Sequence, residues 1–354
     1  MRRGRDNVQQ SGLGSNPTLF MVQIASTVYS LTMRASRIVP FSILIVAAGL
    51  CAPASHSQSP TEPPQSGLSP SSTAPATAAR AGDDNPDSWP EERRLAMLDR
   101  VIANQKKNDE AESIYEHIEK KEIRKGSTPT PEIRVTRNVP AGTGVDKIAL
   151  GSDEKPTDIN AYRAELEKLV HSLVWSTEDG RAQRDAYEKQ ERHRKDKSEL
   201  IEATRNAFTY TFDSRELRGD RTLVKFKMEP NPSYKATSRA TSIFAKVRGV
   251  AWIDEEAKQL AKVEVEVTDD ISIGGFLAKV YKGSHFMQER YELAPGLWFA
   301  TYSQYDFDGR RLFISFSVHE RTFYTHYKRI GPPKEAVTEI RSELSKPALT
   351  TGDP

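Results

Sequence analysis

The pattern of hydrophobic residues changes near residue 208, from the spacing of three to four that is typical of helices to the alternation that is typical of strands. Phe208, Tyr210 and Phe212 alternate with polar residues. The later segments that alternate in the same way are 224–228, 250–254, 263–267, 297–307 and 311–318. Each segment has a polar face, and no strand–helix–strand order points to a parallel sheet. The pattern therefore predicts an antiparallel sheet with one wet side.

Three segments before residue 208 have helical patterns. The first helix is predicted to have Ser88 as its cap and Pro90 in its first turn. A second helix, capped by Thr157 or Asp158, carries one apolar stripe that must be buried. Residues 178–205 hold eight acidic and eight basic residues. This composition favours a solvated helix with many ion pairs, and a helix that binds a partner protein is the alternative.

Two shorter assignments complete the predicted elements. Residues 114–124 fit either a helix or a strand, whereas residues 132–139 alternate more clearly as a strand. Asp308-Gly309 is predicted to be the turn of a hairpin that joins residues 297–307 to residues 311–318.

The amino terminus has the features of an export signal. Residues 38–50 are apolar and uncharged, and Arg34 and Arg37 precede them. A helix that spans a bilayer needs about 20 apolar residues, so this run is short for that role. We therefore expect a cleaved signal peptide within residues 1–57 and a periplasmic or secreted protein, starting at Met1 or at Met33. An uncleaved membrane anchor at residues 38–54 is the alternative.

The rest of the chain divides by composition. Residues 58–88 are rich in Pro, Ser and Ala and poor in large apolar residues, which predicts a disordered spacer. Residues 89–335 are predicted to form one α+β domain with a charged helical insertion at 158–206. Residues 336–354 are predicted to be a C-terminal tail.

Charge and cysteine content exclude several classes of protein. The chain has 51 Lys plus Arg against 49 Asp plus Glu, so it lacks the basic surface that nucleic-acid binding requires. Its single cysteine, Cys51, excludes an intramolecular disulfide framework and a multi-cysteine zinc site.

A search for catalytic chemistry finds little in the sequence. The histidines have no spacing that is typical of metal ligands, and no G-x-S-x-G nucleophile motif occurs. The carboxylates of Asp306 and Asp308 could pair as acid and base, but carboxylates are common at strand ends. We therefore predict no enzyme activity, no cofactor and no metal.

Several motifs in the last third of the chain carry a family resemblance. They are Pro230 and Pro232 at a strand end, Trp252-Ile253-Asp254, the alternating valines of 263–267, Gly283-Ser284-His285-Phe286 and Gly296-Leu297-Trp298. Together they resemble the outer-membrane lipoprotein carrier (LolA-like) superfamily, and most closely the secreted bacterial proteins grouped near it. The resemblance covers about residues 94–330 and is strongest after residue 223.

The resemblance implies a curved antiparallel sheet, or half-open barrel, with helices covering its concave face. In such carriers the concave side is apolar and shelters acyl chains. The residues predicted to line the cavity are Val224, Phe226, Met228, Trp252, Val263, Val265 and Trp298. The charged insertion and the spacer depart from typical carriers.

Two functions remain open at this point. The first is an envelope protein that binds a lipid or a lipidated protein in an apolar cavity and takes part in lipid or lipoprotein trafficking. The alternative is a periplasmic sensor or scaffold that binds a protein partner through residues 178–205 and has no lipid ligand.

Overall fold

The computed structural model describes residues 89–346 except 143, 179 and 274–277. The predicted signal peptide, the predicted spacer with Ser88, and residues 347–354 lie outside these residues. No helix in the described part of the chain is both long enough and apolar enough to cross a membrane.

The described residues form α-helices, one short 3₁₀ helix at Thr241–Lys246, and strands. The helices are α1 (Glu91–Glu112), α2 (Ile159–Glu178), α3 (Gly180–Ala207) and α4 (Pro333–Ser345). The strands are β1 (Tyr115–Lys125), β2 (Glu132–Pro140), β3 (Val145–Leu150), β4 (Phe208–Arg218), β5 (Arg221–Pro230), β6 (Val247–Asp254), β7 (Gln259–Val267), β8 (Ile271–Ile273), β9 (Ala278–Val280), β10 (His285–Ala294), β11 (Leu297–Arg311) and β12 (Ile314–Arg329).

The strands form one antiparallel sheet in the order β3-β2-β1-β12-β11-β10-β7-β6-β5-β4, and β8 and β9 lie off this path. The terminal strands β3 and β4 do not pair with each other, so the curved sheet stays open. The predicted α+β class with a half-open antiparallel sheet is therefore confirmed. The ambiguous segment 114–124 is a strand, because it pairs along its length with both β2 and β12.

Strand alternation separates the two faces of the sheet. On the concave face, Tyr210 of β4 lies opposite Met228 of β5, and Val265 of β7 lies opposite Phe286 of β10. These side chains are buried in the largest hydrophobic cluster of the protein. The core therefore sits on the side that helices α1 and α3 cover.

Helix α1 is held against the sheet by polar side chains as well as apolar ones. Asn104 Nδ2 donates to the carbonyl oxygens of Ala257 and Lys258 in the turn between β6 and β7, at 3.2 and 2.9 Å. The amide of Asn108 donates to Gln259 Oε1 at 2.9 Å and accepts from the backbone N–H of Trp298 at 3.2 Å. Because buried amides need partners, these bonds fix the helix in one position.

Helices α2 and α4 cover the opposite face of the sheet at its β1–β3 end. Leu166, Leu169 and Leu173 of α2 pack with Val139 of β2 and with Ile340 of α4. The predicted cap of α2 is confirmed in one of its two forms. Asp158 Oδ1 accepts hydrogen bonds from the backbone N–H groups of Asn160 and Ala161, at 2.8 and 3.1 Å.

The segment predicted as a C-terminal tail contributes most of helix α4. Ala336 and Ile340 are fully buried in the cluster beneath α2. Arg163 also donates to the carbonyl oxygens of Leu344 and Lys346, which end the helix. The helix forms because Ala336 and Ile340 lie one turn apart and present a single apolar face.

Two predicted boundaries are wrong. Pro90 is the N-cap of α1 and stands outside its first turn. Asp308-Gly309 lies inside β11, and the chain reverses at Leu312 and Phe313, where Leu312 has a φ of 53°. Gly309 is needed there because a Cβ atom would lie 2.4 Å from the carbonyl oxygen of Lys279 and 2.6 Å from the Phe316 ring. The glycine at this position is therefore explained by close packing of neighbouring strands and not by a turn.

Candidate functional site: an apolar cavity beneath helices α1 and α3

An apolar cavity of about 150 Å³ lies between the concave face of the sheet and helices α1 and α3. The roof consists of Leu98, Val101, Ile102 and Gln105 from α1, with Leu200, Ile201 and Thr204 from α3. The floor consists of Phe208, Tyr210, Met228, Ala251, Ile253, Leu260, Val263, Val265, Phe286, Gln288 and Arg290. Most of these side chains are hydrocarbon, which is the common composition of a small-molecule site.

Three of the predicted lining residues face this cavity: Met228, Val263 and Val265. They are brought together by the register of the sheet. Val263 lies opposite Ala251, Val265 lies opposite Gly249, and Gly249 lies opposite Met228. Because directly opposite residues share a face, the three side chains converge on one side.

Val224 and Phe226 lie on the same face of β5 as Met228, but they do not line the cavity. Both are fully buried. The ring of Trp89 packs edge-on against Phe226, with 5.4 Å between the ring centroids. Trp89 comes from just before α1 and fills the space at that end of the concave face.

Trp252 and Trp298 lie on the opposite face of the sheet, where they pack together with Leu223 and Ala261. Trp252 lies opposite Lys262 in the β6–β7 pair, and the Lys262 ammonium is 4.8 Å from the Trp252 ring centroid. The structure therefore does not bring these two predicted residues to the cavity.

The charged helix α3 contributes to the roof as well as to the surface. Leu200 and Ile201 are buried against the cavity, although the surrounding sequence is highly charged. Lys197 of α3 pairs with Asp109 of α1 at 2.8 Å, and Lys106 of α1 pairs with Glu202 of α3. The ion pairs therefore join the two roof helices to each other.

The cavity has one polar end, which the sequence analysis did not single out. Gln288 and Arg290 of β10 are 2% and 1% exposed and line the cavity beside Gln105 of α1. Their side of β10 is visible in the sequence as the alternation Phe286, Gln288, Arg290. Gln288 and Arg290 occupy positions where that alternation predicts core residues. This mismatch was the signal in the sequence for a polar end of the cavity.

A second group of buried polar residues lies farther along the concave face, on β1 and its neighbours. Glu119 is 2% exposed and contacts Lys147 at 3.1 Å and the amide of Asn138 at 3.2 Å. Asn138 also lies 3.1 Å from Nε2 of His117. Burial lowers the pKa of His117 to about 4, against the opposing effect of the Glu119 charge. The imidazole is therefore neutral at ordinary pH.

A hydrogen-bonded chain of Asp306, His319 and Ser317 lies on the convex face beside a polar pocket. Asp306 Oδ1 is 2.7 Å from His319 Nδ1, and Ser317 Oγ is 3.3 Å from His319 Nε2. Burial raises the pKa of Asp306, but hydrogen bonds from Gln304 and His319 outweigh it and the pKa is lowered. This order of groups occurs in serine hydrolases, which also need free N–H donors for the oxyanion. Here β12 is paired on both sides by β1 and β11, so its N–H groups serve the sheet.

The histidines do not assemble a metal site in the described part of the chain. Within those residues, no three His, Cys, Asp or Glu side chains cluster as metal ligands would. His319 pairs with Asp306, whereas His326 contacts Glu154 at 3.2 Å.

Among the comparisons with known proteins, the search of solved structures is the one that finds similar proteins. No family model matches the sequence, and no curated protein matches it. A domain from Vibrio parahaemolyticus named for outer membrane lipoprotein sorting aligns at 10% identity and a TM-score of 0.28, over 70% of this chain and all of the other. A DUF1329 family protein from Desulfovibrio piger aligns at 9% identity and a TM-score of 0.26, over 66% of this chain and 92% of its own.

A LolA superfamily protein from Nitrosomonas europaea aligns at 9% identity and a TM-score of 0.25, over 68% of this chain and 96% of its own. The chain resembles LolA-like proteins. The sequence motifs predict the same resemblance, and the ligand of this chain has to be argued from its own residues.

Proposed function

We propose that this protein binds the apolar chain of a lipid or of a lipidated protein in the cavity beneath α1 and α3. The supporting observation is the composition of that cavity, in which side chains from five neighbouring strands and two helices leave apolar space unfilled. A close-packed core normally leaves few voids of this size. We therefore infer that this unfilled apolar space between the sheet and its covering helices is a binding site.

The volume limits what the cavity holds with the helices in this position. An apolar cavity of about 150 Å³ in a protein core stays dry and accepts a ligand the size of benzene. The present cavity is about 150 Å³ as well, so it accommodates a short alkyl segment. A long acyl chain needs the roof to move away from the sheet.

The contacts of the roof are compatible with such a movement. The pair between Lys106 and Glu202 is partly exposed, and so is the pair between Arg205 and Asp99. Exposed ion pairs contribute about 0–1 kcal/mol each. These two pairs therefore resist the separation of α3 from α1 only weakly, whereas the mostly buried pair between Lys197 and Asp109 also has to break.

The proposed setting is the bacterial envelope. Its support is the basic and apolar amino terminus, which has the pattern of a signal peptide, and the proline-rich stretch that follows it. In that setting the protein would carry or present its apolar ligand outside the cytoplasm, in lipid or lipoprotein trafficking, with no reaction catalysed.

The test is binding of a neutral apolar dye, a phenylnaphthylamine, to the full-length chain purified without detergent, together with organic extraction of co-purified lipid. Like a long acyl chain, this dye needs the roof to move away from the sheet. Val263→Phe fills the cavity from its floor and is expected to abolish dye fluorescence. Val250→Phe is the matched control, because Val250 lies on the adjacent strand and packs on the opposite face with Trp252.

Dye binding that is lost in Val263→Phe and kept in Val250→Phe supports the proposal. A protein that carries no lipid and does not bind the dye contradicts it. The chain would then act as a sensor or scaffold, and attention would move to a protein partner at the charged helix α3.

A further inference from the structure

The polar end of the cavity holds a buried arginine. Phe286, Gln288 and Arg290 alternate along β10 and face the cavity, with Arg290 at its edge beside α1. Arg290 is 1% exposed, which is rare for an arginine because removing its charge from water is costly. Such a residue normally has a full set of hydrogen-bond partners.

Arg290 and Gln288 lack such a set. The Arg290 Nη1 group donates to the amide oxygen of Gln105, a neutral acceptor. Among the described residues, Nε and Nη2 of Arg290 and Nε2 of Gln288 are buried and have no hydrogen-bond partner. A buried donor without a partner costs about 1–3 kcal/mol, and more when it is charged. Three such donors beside one cavity indicate an acceptor that the protein itself does not provide.

The geometry of the free donors narrows the acceptor. In a guanidinium group, the Nε and Nη2 hydrogens point the same way along one edge, and this edge matches the two oxygens of a carboxylate. Nη1, on the other side, is occupied by Gln105. The free edge of Arg290 therefore suits a two-oxygen anion better than a single carbonyl oxygen.

Two ionisable side chains, Tyr327 and Glu112, belong to the surroundings of Arg290. Tyr327 lies close by, because its hydroxyl donates to the carbonyl of Ala300, which is opposite Arg290 in the sheet. Burial raises the pKa of Tyr327, the charge of Glu112 raises it further and the charge of Arg290 lowers it. Tyr327 therefore stays a neutral phenol, and Glu112 is the acidic neighbour beside which a bound anion must fit.

We propose that the cavity selects an unesterified carboxylic acid, with its alkyl chain among the valines of β7 and its carboxylate on Nε and Nη2 of Arg290 and Nε2 of Gln288. This inference rests on the proposed function and narrows its ligand to a free fatty acid. Ester-linked and amide-linked acyl groups carry no charge at the carbonyl, so they bind the guanidinium less strongly than a carboxylate does.

The test is displacement of the neutral dye from the full-length protein by octanoate, octanol and methyl octanoate. These probes share the same alkyl chain length and differ in the head group. Octanoate is expected to displace the dye at a concentration about tenfold or more below the other two, because hydrogen bonds to charged groups are the stronger class.

Variants assign that preference to the two residues. Gln288→Leu is expected to reduce the octanoate preference in part, and Arg290→Met is expected to remove it while dye binding persists. Arg218→Met is the matched control, because Arg218 lies on the other face of the sheet, paired with Glu289 at 2.8 Å. Its octanoate preference is expected to stay at the wild-type value.

The wild-type comparison needs no variant, so the proposal stays testable if Arg290→Met does not fold. Equal displacement by octanoate and octanol would overturn the carboxylate inference and leave the apolar cavity intact, with a water on Arg290. No dye binding at all would instead refute the proposed function. An octanoate preference that survives in both Gln288→Leu and Arg290→Met would also overturn the assignment.

Discussion

Trp89 stacks on Phe212, with 6.0 Å between the ring centroids and 11° between the ring planes. The same indole packs edge-on against Phe226. The guanidinium of Arg93, a residue of α1, lies 4.1 Å from the centroid of the Trp89 ring. Trp89 thus joins the start of α1 to strands β4 and β5. It holds one end of the roof onto the sheet while the cavity lies farther along the same helix.

Replacing Trp89 by Ala is therefore expected to lower the free energy of unfolding by about 3–5 kcal/mol, because a fully buried indole leaves a large void. Urea denaturation monitored by circular dichroism measures the change. Trp175→Ala is the control, since Trp175 is 40% exposed and its loss leaves no comparable void. Equal losses in the two variants would contradict the role assigned to Trp89.

His117 makes the stability depend on acid. Its pKa is lowered to about 4 by burial, whereas an unfolded histidine has a pKa of about 6.5. The unfolded chain therefore binds the proton first, and stability is lost as the pH falls between those two values. Between about pH 7.5 and about pH 4.5 this residue alone should remove about 2.5 kcal/mol.

The measurement is chemical unfolding of the wild type and of His117→Gln at both pH values. The variant is expected to lose less stability on acidification, by about the amount assigned to His117. His326→Gln removes an exposed histidine and should keep the wild-type loss. The same pH dependence in wild type and His117→Gln would show that other groups govern acid unfolding.

Arg137 is expected to be the main polar anchor of α4. It contacts Glu116 at 2.7 Å and Glu343 at 2.9 Å, and it donates to the hydroxyl of Tyr162 at 2.6 Å. Arg137→Met removes the closest counter-ion of the buried Glu116 and leaves Lys328 at 4.0 Å, so the expected cost is about 3 kcal/mol, at the lower end for a broken buried pair. Thermal unfolding checks this. Arg329→Met is the control, because its pair with Glu335 is half exposed and contributes at most about 1 kcal/mol.

Gly309→Ala is expected to destabilise the sheet by about 1–3 kcal/mol, since the new methyl group overlaps the carbonyl oxygen of Lys279 and the ring of Phe316. Gly180→Ala provides the comparison, because a Cβ atom there meets nothing within 4 Å. That change should be neutral or slightly stabilising, as Ala favours helices more than Gly does. A midpoint shift of the same size and sign in both variants would exclude the steric explanation.

The periodicity of the sequence predicted the sheet well because alternation is a local property. Residues 208–212 and 224–228 became β4 and β5 with the expected faces. Alternation does not say which face is covered, so Trp252 and Trp298 were assigned to the cavity although they lie on the opposite side. To assign a residue to the cavity face, one must know on which side of the sheet α1 and α3 pack. That packing depends on contacts between segments that are distant in the sequence.

The remaining errors also come from distant contacts. Phe226 was predicted to line a cavity, but Trp89 occupies that space from more than a hundred residues away in the chain. Asp308-Gly309 has the composition of a turn, yet Gly309 is required by the neighbouring strand β9. Arg290 was not noticed, because a charged residue in an alternating strand is ordinarily assigned to the solvent side.

The position of β1 in the sheet also determines the order of assembly. Lys121 of β1 bonds to Glu320 of β12 at 2.8 Å, and the two residues are 199 positions apart in the sequence. Strand β1 therefore lacks its neighbour toward the centre of the sheet until β12 has been synthesised. Pairings of such high contact order form slowly, whereas β4 to β7 pair with near neighbours in the sequence, so β1 is expected to join the sheet late.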